Sequence, residues 1–127
     1  MAESESKQGQ LLSVNLAVEQ TEEIRDFYAQ IIGWDHDAFK TEDMSGFTMK
    51  SKTGRFSNAV ISDLTGQHAD MPSSVWIPYF QVNDLQKSLE SCEAMGGKVL
   101  KKPALCCSSY AVIEYPKGAI CALYQSK

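Results

Sequence analysis

Two histidines, four cysteines and a scatter of acids carry most of the reactive chemistry in this 127-residue chain. His36 lies between Asp35 and Asp37, with Glu42 and Asp43 shortly after. Acids around a histidine suit a divalent metal. A solvated connection is the better reading, because no second histidine is placed to complete a ligand set. His68 sits apart, in the irregular stretch DLTGQHADMPSS, and is given no chemical role. Cys92, Cys106, Cys107 and Cys121 form no C-x-x-C pair and have no histidine at zinc-finger spacing. The adjacent Cys106 and Cys107 suit neither an ordinary disulfide nor a simple chelate. Reduced thiols, some buried as small apolar groups, are the plainer reading.

Composition narrows the partners. A formal charge of −4 argues against a general nucleic-acid binder. No apolar run is long enough to span a bilayer, and no signal-peptide core follows the polar start MAESESKQGQ. The expectation is a cytoplasmic protein without a membrane partner.

The elements that would position any site come as a duplication. Leu12–Gly33 (LSVNLAVEQTEEIRDFYAQIIG) and Trp76–Gly97 (WIPYFQVNDLQKSLESCEAMGG) both read as strand, helix and glycine stop. Leu16 maps onto Phe80, Val18 onto Val82, Ile31 onto Met95 and Gly33 onto Gly97, all at one offset of 64 positions. Gly54 maps onto Gly118 at the same offset. Such regularity means two copies of one module, each too small to bury its sheet alone.

In the first copy, Leu12, Val14, Leu16 and Val18 share one strand face and should meet a helix. Thr21 is placed to cap that helix. Ile24, Phe27, Tyr28, Ile31 and Ile32 form its apolar stripe, and Gly33 stops it in the left-handed conformation. Residues 34–46 read as a polar connection with at most a short strand. Two further strands follow, Phe47–Lys50 and Ser57–Ser62. In the second copy, Trp76, Pro78, Phe80 and Val82 share one face, while Ile77, Tyr79 and Gln81 share the other. Asn83 is placed as the cap of the second helix, with Leu85, Leu89, Cys92 and Met95 as its stripe. Strands at 98–101, 106–115 and 119–125 complete the copy. The last two are joined by the turn Tyr115–Pro116–Lys117–Gly118. The expected organisation is a disordered tail over 1–10, module one over 11–62, a linker over 63–74 and module two over 75–127.

FYAQIIGW after a strand, VWIPYFQVNDLQKSLESCEAMGGKV, and YAVIEYPKGAICALYQ together resemble the vicinal oxygen chelate superfamily. That group includes glyoxalase I, bleomycin-resistance proteins and extradiol dioxygenases. The resemblance covers nearly the whole chain after the tail. It implies an α+β fold in which two tandem βαβββ modules form a cup-shaped sheet. Metal-dependent members carry four ligands in that cup. The resemblance maps these positions onto Ser13, Asn58, Ile77 and Ala122, where the metal enzymes have histidine or glutamate. None of the four is either residue here, so no metal and no cofactor is expected.

If those positions face inward, strand alternation adds neighbours such as Asn15, Val60, Tyr79, Gln81, Ile120 and Tyr124. The expected ligand-binding set is Ser13, Asn15, Asn58, Ile77, Tyr79, Gln81, Ala122 and Tyr124: apolar wall with a few amides and phenols. It contains no charged group, hence no evident general base or base-activated nucleophile. The resemblance thus implies a metal-independent protein holding a small organic molecule, in the manner of the bleomycin-resistance branch. The alternative is a glyoxalase-like lyase or isomerase with a non-standard site. A homodimer is expected in either case.

Overall fold

A computed structural model of the chain describes residues 8–42, 44–52, 59–64, 71–103 and 109–125. It divides into two compact units, one Ser13–Trp76, the other Ile77–Lys127 together with Met1–Leu12. The element order is β1 (Leu11–Val18), α1 (Thr21–Ile32), β2 (Asp35–Lys40), β3 (Ser45–Lys50) and β4 (Ala59–Asp63). Then follow β5 (Trp76–Gln81), α2 (Leu85–Ala94), β6 (Lys98–Lys101), β7 (Ser109–Glu114) and β8 (Ile120–Gln125). Each module is therefore βαβββ, and the fold is α+β, as the duplication requires. Among the described residues no helix is long and apolar enough to cross a membrane.

In module one the strands run β2-β3-β4-β1, with β1 parallel to β4 and the other pairs antiparallel. Alternation sends Leu16 and Val18 of β1, Phe47 and Met49 of β3, and Ala59 and Ile61 of β4 to one face. There they pack against Ile24 and Tyr28 of α1 and against Trp34 and Trp76. Asp63 ties this module together. One carboxylate oxygen accepts from Thr21 Oγ1 at 2.8 Å, and the other accepts from Ser45 Oγ. The first turn of α1 is thereby fixed to the end of β4 and the start of β3.

The stripe on α1 is narrower than its spacing suggests. Only Ile24 and Tyr28 join the core, while Phe27, Ile31 and Ile32 are exposed, Ile31 at 61%. The physical reason is an aromatic cluster. The Tyr28 ring lies 5.3 Å from Trp76 and 6.2 Å from Trp34, and its hydroxyl accepts from Trp76 Nε1 at 3.1 Å. These three large rings fill the helix–sheet contact that the spacing assigns to Ile31. Thr21 is not the cap either: Gln20 holds that position without a side-chain bond, and the Thr21 hydroxyl serves Asp63. Gly33 does end the helix in the left-handed region, with φ 83° and its N–H donating to Ala29 O at 3.0 Å.

The polar stretch after Trp34 is a full strand. All six residues of β2 pair with β3, including His36 opposite Met49. Its charges are those of an edge strand, which deters pairing with another chain. Lys50 Nζ lies 2.6 Å from Asp37 Oδ2, and hydrogen bonding to that ammonium holds the Asp37 carboxyl below its usual range. The pair is exposed, so it adds little to stability.

In module two the strands run β5-β8-β7-β6, with β5 parallel to β8. Val82, Leu85, Leu89, Ala111 and Leu123 form its core, flanked by Phe80, Val99, Ile113 and Cys121. Asp84, not Asn83, caps α2, accepting from Lys87 N at 3.1 Å. Met95 is the residue after the last helical turn and stands 82% exposed instead of completing the stripe. The start of the chain pairs with this module. Gly9 N donates to Gln81 O at 2.7 Å, Gln81 N donates to Gln10 O at 2.8 Å, and Asn83 N donates to Gln8 Oε1 at 2.6 Å.

Candidate functional site

Each sheet has one face under its helix and one face turned from it. In module two the second face is set by two ladders. Tyr79 pairs with Ala122 and Gln81 with Tyr124 across β5 and β8. Tyr110 pairs with Tyr124 and Val112 with Ala122 across β7 and β8. Paired residues share a face, so Tyr79, Gln81, Tyr110, Val112, Ala122 and Tyr124 lie together. Ile77 joins them by alternation along β5. Ile77, Tyr79, Gln81, Tyr110, Val112 and Ala122 are buried, and Tyr124 is half-buried. The Tyr79 and Tyr110 rings are 5.7 Å apart and tilted by 38°. Gln81 Nε2 donates to Val82 O at 3.0 Å.

A charged group also reaches this face, from the strand β6. Simple alternation would put Lys101 on the side of Val99, under the helix. A register shift lies between them, however, and Lys101 pairs with Val112 while Val99 pairs with Ile113. The bulge turns Lys101 over, and its ammonium stands 5.9 Å from the centroid of the Tyr110 ring. Lys101 and Tyr110 are the residues that the sequence reading misses. Tyr110 could have been found, because SYAVIE alternates and its partner strand was already assigned. Nothing in KVLK signals the bulge.

The matching face of module one is built from smaller residues. Asn15 pairs with Val60 and Ala17 with Ser62 across β1 and β4, while Gly46 pairs with Ser62 and Thr48 with Val60 across β3 and β4. Position for position, Asn15 stands where module two has Tyr79, Ala17 where it has Gln81, Gly46 where it has Tyr110, and Ser62 where it has Tyr124. Ser13 and Asn15 are half-buried. Asn15 Oδ1 is buried with no hydrogen-bond partner among the described residues.

These ladders correct the mapping of the last strand. The offset of 64 holds for β1 onto β5 and for β3 onto β7, but Met49 pairs with Ala59, ten positions on, and Ile113 with Cys121, eight on. The first hairpin is two residues longer. The register counterpart of Ala122 is therefore Val60, not Asn58. Asn58 itself lies outside the described residues, as do His68, Cys106 and Cys107.

Among the described residues, neither module offers a divalent metal a ligand set at these positions: in module two Ile77 and Ala122 bring no side-chain donor, and in module one Val60 brings none in the corrected register and Ser13 offers one neutral hydroxyl. His36 lies on the exposed edge strand β2. Among the described residues, no three His, Cys, Asp or Glu side chains are gathered to hold a metal ion.

Paired βαβββ modules, each with a helix on one sheet face and a polar-edged lining on the other, define the class of protein. Residues 10–118 match the model of the Glyoxalase/Bleomycin resistance protein/Dioxygenase superfamily, and the chain belongs to that superfamily. No curated protein matches it significantly in sequence. Among solved structures, a hypothetical protein from Bacillus halodurans C-125 is similar with a TM-score of 0.58 and 10% identity, over 95% of this chain and 96% of the other. Methylmalonyl-CoA epimerase from Mycobacterium tuberculosis is similar with a TM-score of 0.53 and 14% identity, over 94% and 88%. A Streptomyces coelicolor methylmalonyl-CoA epimerase variant in complex with 2-nitronate-propionyl-CoA gives 0.54 and 13%, over 94% and 98%. At such identities the likeness is one of fold.

Proposed function

We propose that the chain binds a small organic molecule on the face of the module-two sheet turned from its helix, through Tyr79, Tyr110, Gln81 and Lys101, without a metal. The observation that carries this is the tilted Tyr79–Tyr110 ring pair with the Lys101 ammonium beside it. Rings take a flat ligand, and the cation favours one that bears an acidic or acceptor group. Ile77, Ala122 and Tyr124 complete that lining. In module one, Ser13, Asn15, Thr48 and Ser62 are polar members of the equivalent face, and the buried Asn15 Oδ1 asks for a donor. The same reading puts the protein in the cytoplasm, where its thiols stay reduced.

The test uses whatever molecule co-purifies with the full chain. Tyr79→Ala should weaken its binding at least about tenfold, roughly 1.4 kcal/mol, while circular dichroism shows the fold kept. Unchanged affinity in the folded variant would remove this face as the site. Lys101 and Tyr110 also supply the alternative, a lyase or isomerase, with a candidate acid–base pair. Recovery of a converted molecule instead of an unchanged one would favour it. The epimerases of similar fold act on an acyl-CoA, so acyl-CoA thioesters belong in that assay.

A homodimer is part of the same proposal. Phe27, Ile31 and Ile32 leave an apolar stripe of α1 uncovered, and closed two-fold pairs are the commonest oligomers. Sedimentation at micromolar concentration should give twice the chain mass, and a monomer there removes the claim.

A further inference from the structure

Module two holds a cavity on the helix side of its sheet, apart from the face described above. It lies where the end of α2 meets the β7–β8 turn, and Cys92, Met95, Ile113, Tyr115, Ile120 and Cys121 line it. Its volume is about 270 Å³, and its wall is almost wholly carbon and sulfur. Two of its large side chains stand in water: Met95 at 82% exposure and Tyr115 at 59%. Exposed apolar groups gathered at the edge of an apolar hollow mark a binding surface. We propose that this cavity is a binding site for a small, uncharged hydrophobic molecule of one or two rings.

Size and chemistry select that occupant. The volume sits just under the usual range of small-molecule pockets, about 300–1,000 Å³. A stable protein partner would need about 800 Å² from this chain, far more than one such hollow offers. The two thiols add no charge, since burial pushes both Cys92 and Cys121 up from the ordinary thiol range. Glu114 also borders the cavity, but the wall exposes almost no polar atom, and its sulfurs suit a polarisable ring.

The test is a titration of the full chain with 6-propionyl-2-dimethylaminonaphthalene, a neutral two-ring fluorescent probe. Saturable binding at about one site per chain is expected. Saturation should also slow alkylation of Cys92 and Cys121 by N-ethylmaleimide, read residue by residue by peptide mass spectrometry. Ala119→Trp, at an exposed turn residue lining the cavity, should weaken the probe at least tenfold without changing the melting curve. Met95→Asp should do the same by placing a charge at the mouth. Tyr79→Ala, which removes the sheet-face site, should leave probe binding in place, so the two proposals fail separately. Absence of saturable binding overturns this one. So does binding that both Ala119→Trp and Met95→Asp leave intact. Protection of the thiols that rises with protein concentration in the absence of probe would assign the hollow to a second copy, and would overturn it too.

Discussion

Gly46→Ala should cost about 3 kcal/mol or more and leave little folded protein at ordinary temperature. A Cβ on Gly46 would lie 2.1 Å from Ile61 O and 2.7 Å from Ser62 Cα, both backbone atoms of β4. No side-chain rotation relieves a clash with backbone, and the φ of 157° is itself uncommon for an L side chain. Ordinary overpacking costs about 1–3 kcal/mol, and this contact is tighter than most. The close approach is part of the pairing of Gly46 with Ser62, which fixes β3 against β4 and so the register of the module-one face. Denaturant melts within about 1 kcal/mol of the parent would mean that this pairing is wrong. The corrected equivalence of Val60 with Ala122 would fall with it.

Ile61→Ala and Ile31→Ala should differ widely, although both delete the same atoms. Ile61 has no exposed surface and lies in the middle of the module-one core, so its loss should cost about 2–5 kcal/mol. Ile31 is 61% exposed, and its replacement should cost less than about 1 kcal/mol. Chemical denaturation of the two variants gives both numbers. A larger loss for Ile31 would restore the wide helix stripe and put the aromatic cluster of Tyr28, Trp34 and Trp76 in doubt.

That contrast shows what the sequence made legible. Period-two alternation named the correct faces of β1 and β5, because each strand has a uniformly apolar side that must meet a helix. Leu16, Val18, Phe80 and Val82 all pack there. Gly33 announced its helix stop because a left-handed residue is where glycine is favoured. Helix faces were less legible. Helical spacing names the residues on one side but not how far the partner surface extends beneath them. Phe27, Ile31 and Met95 were therefore assigned to cores that do not reach them. The edge strand β2 was legible only as a short strand within a polar connection: DHDAFK carries the charges that an edge needs, and these look like a loop.

The site was half legible on the same grounds. Tyr79, Gln81, Ala122 and Tyr124 follow from alternation plus parallel pairing. Lys101 does not, because one bulged residue inverts the side on which a strand residue falls. The offset of 64 misplaced the last strand of module one because the modules diverged in the length of one hairpin. Insertions at turns leave strand pairing intact while shifting every number after them. Module two alone carries large phenols on this face, so the search for a ligand centres there.

Native mass spectrometry of the purified full chain, run beside elemental analysis, tests the central claim most directly. The account predicts a mass increment from an organic molecule that is lost in Tyr79→Ala, and transition metal well below one atom per chain. About one tightly bound transition metal per chain, with no organic increment, would contradict it.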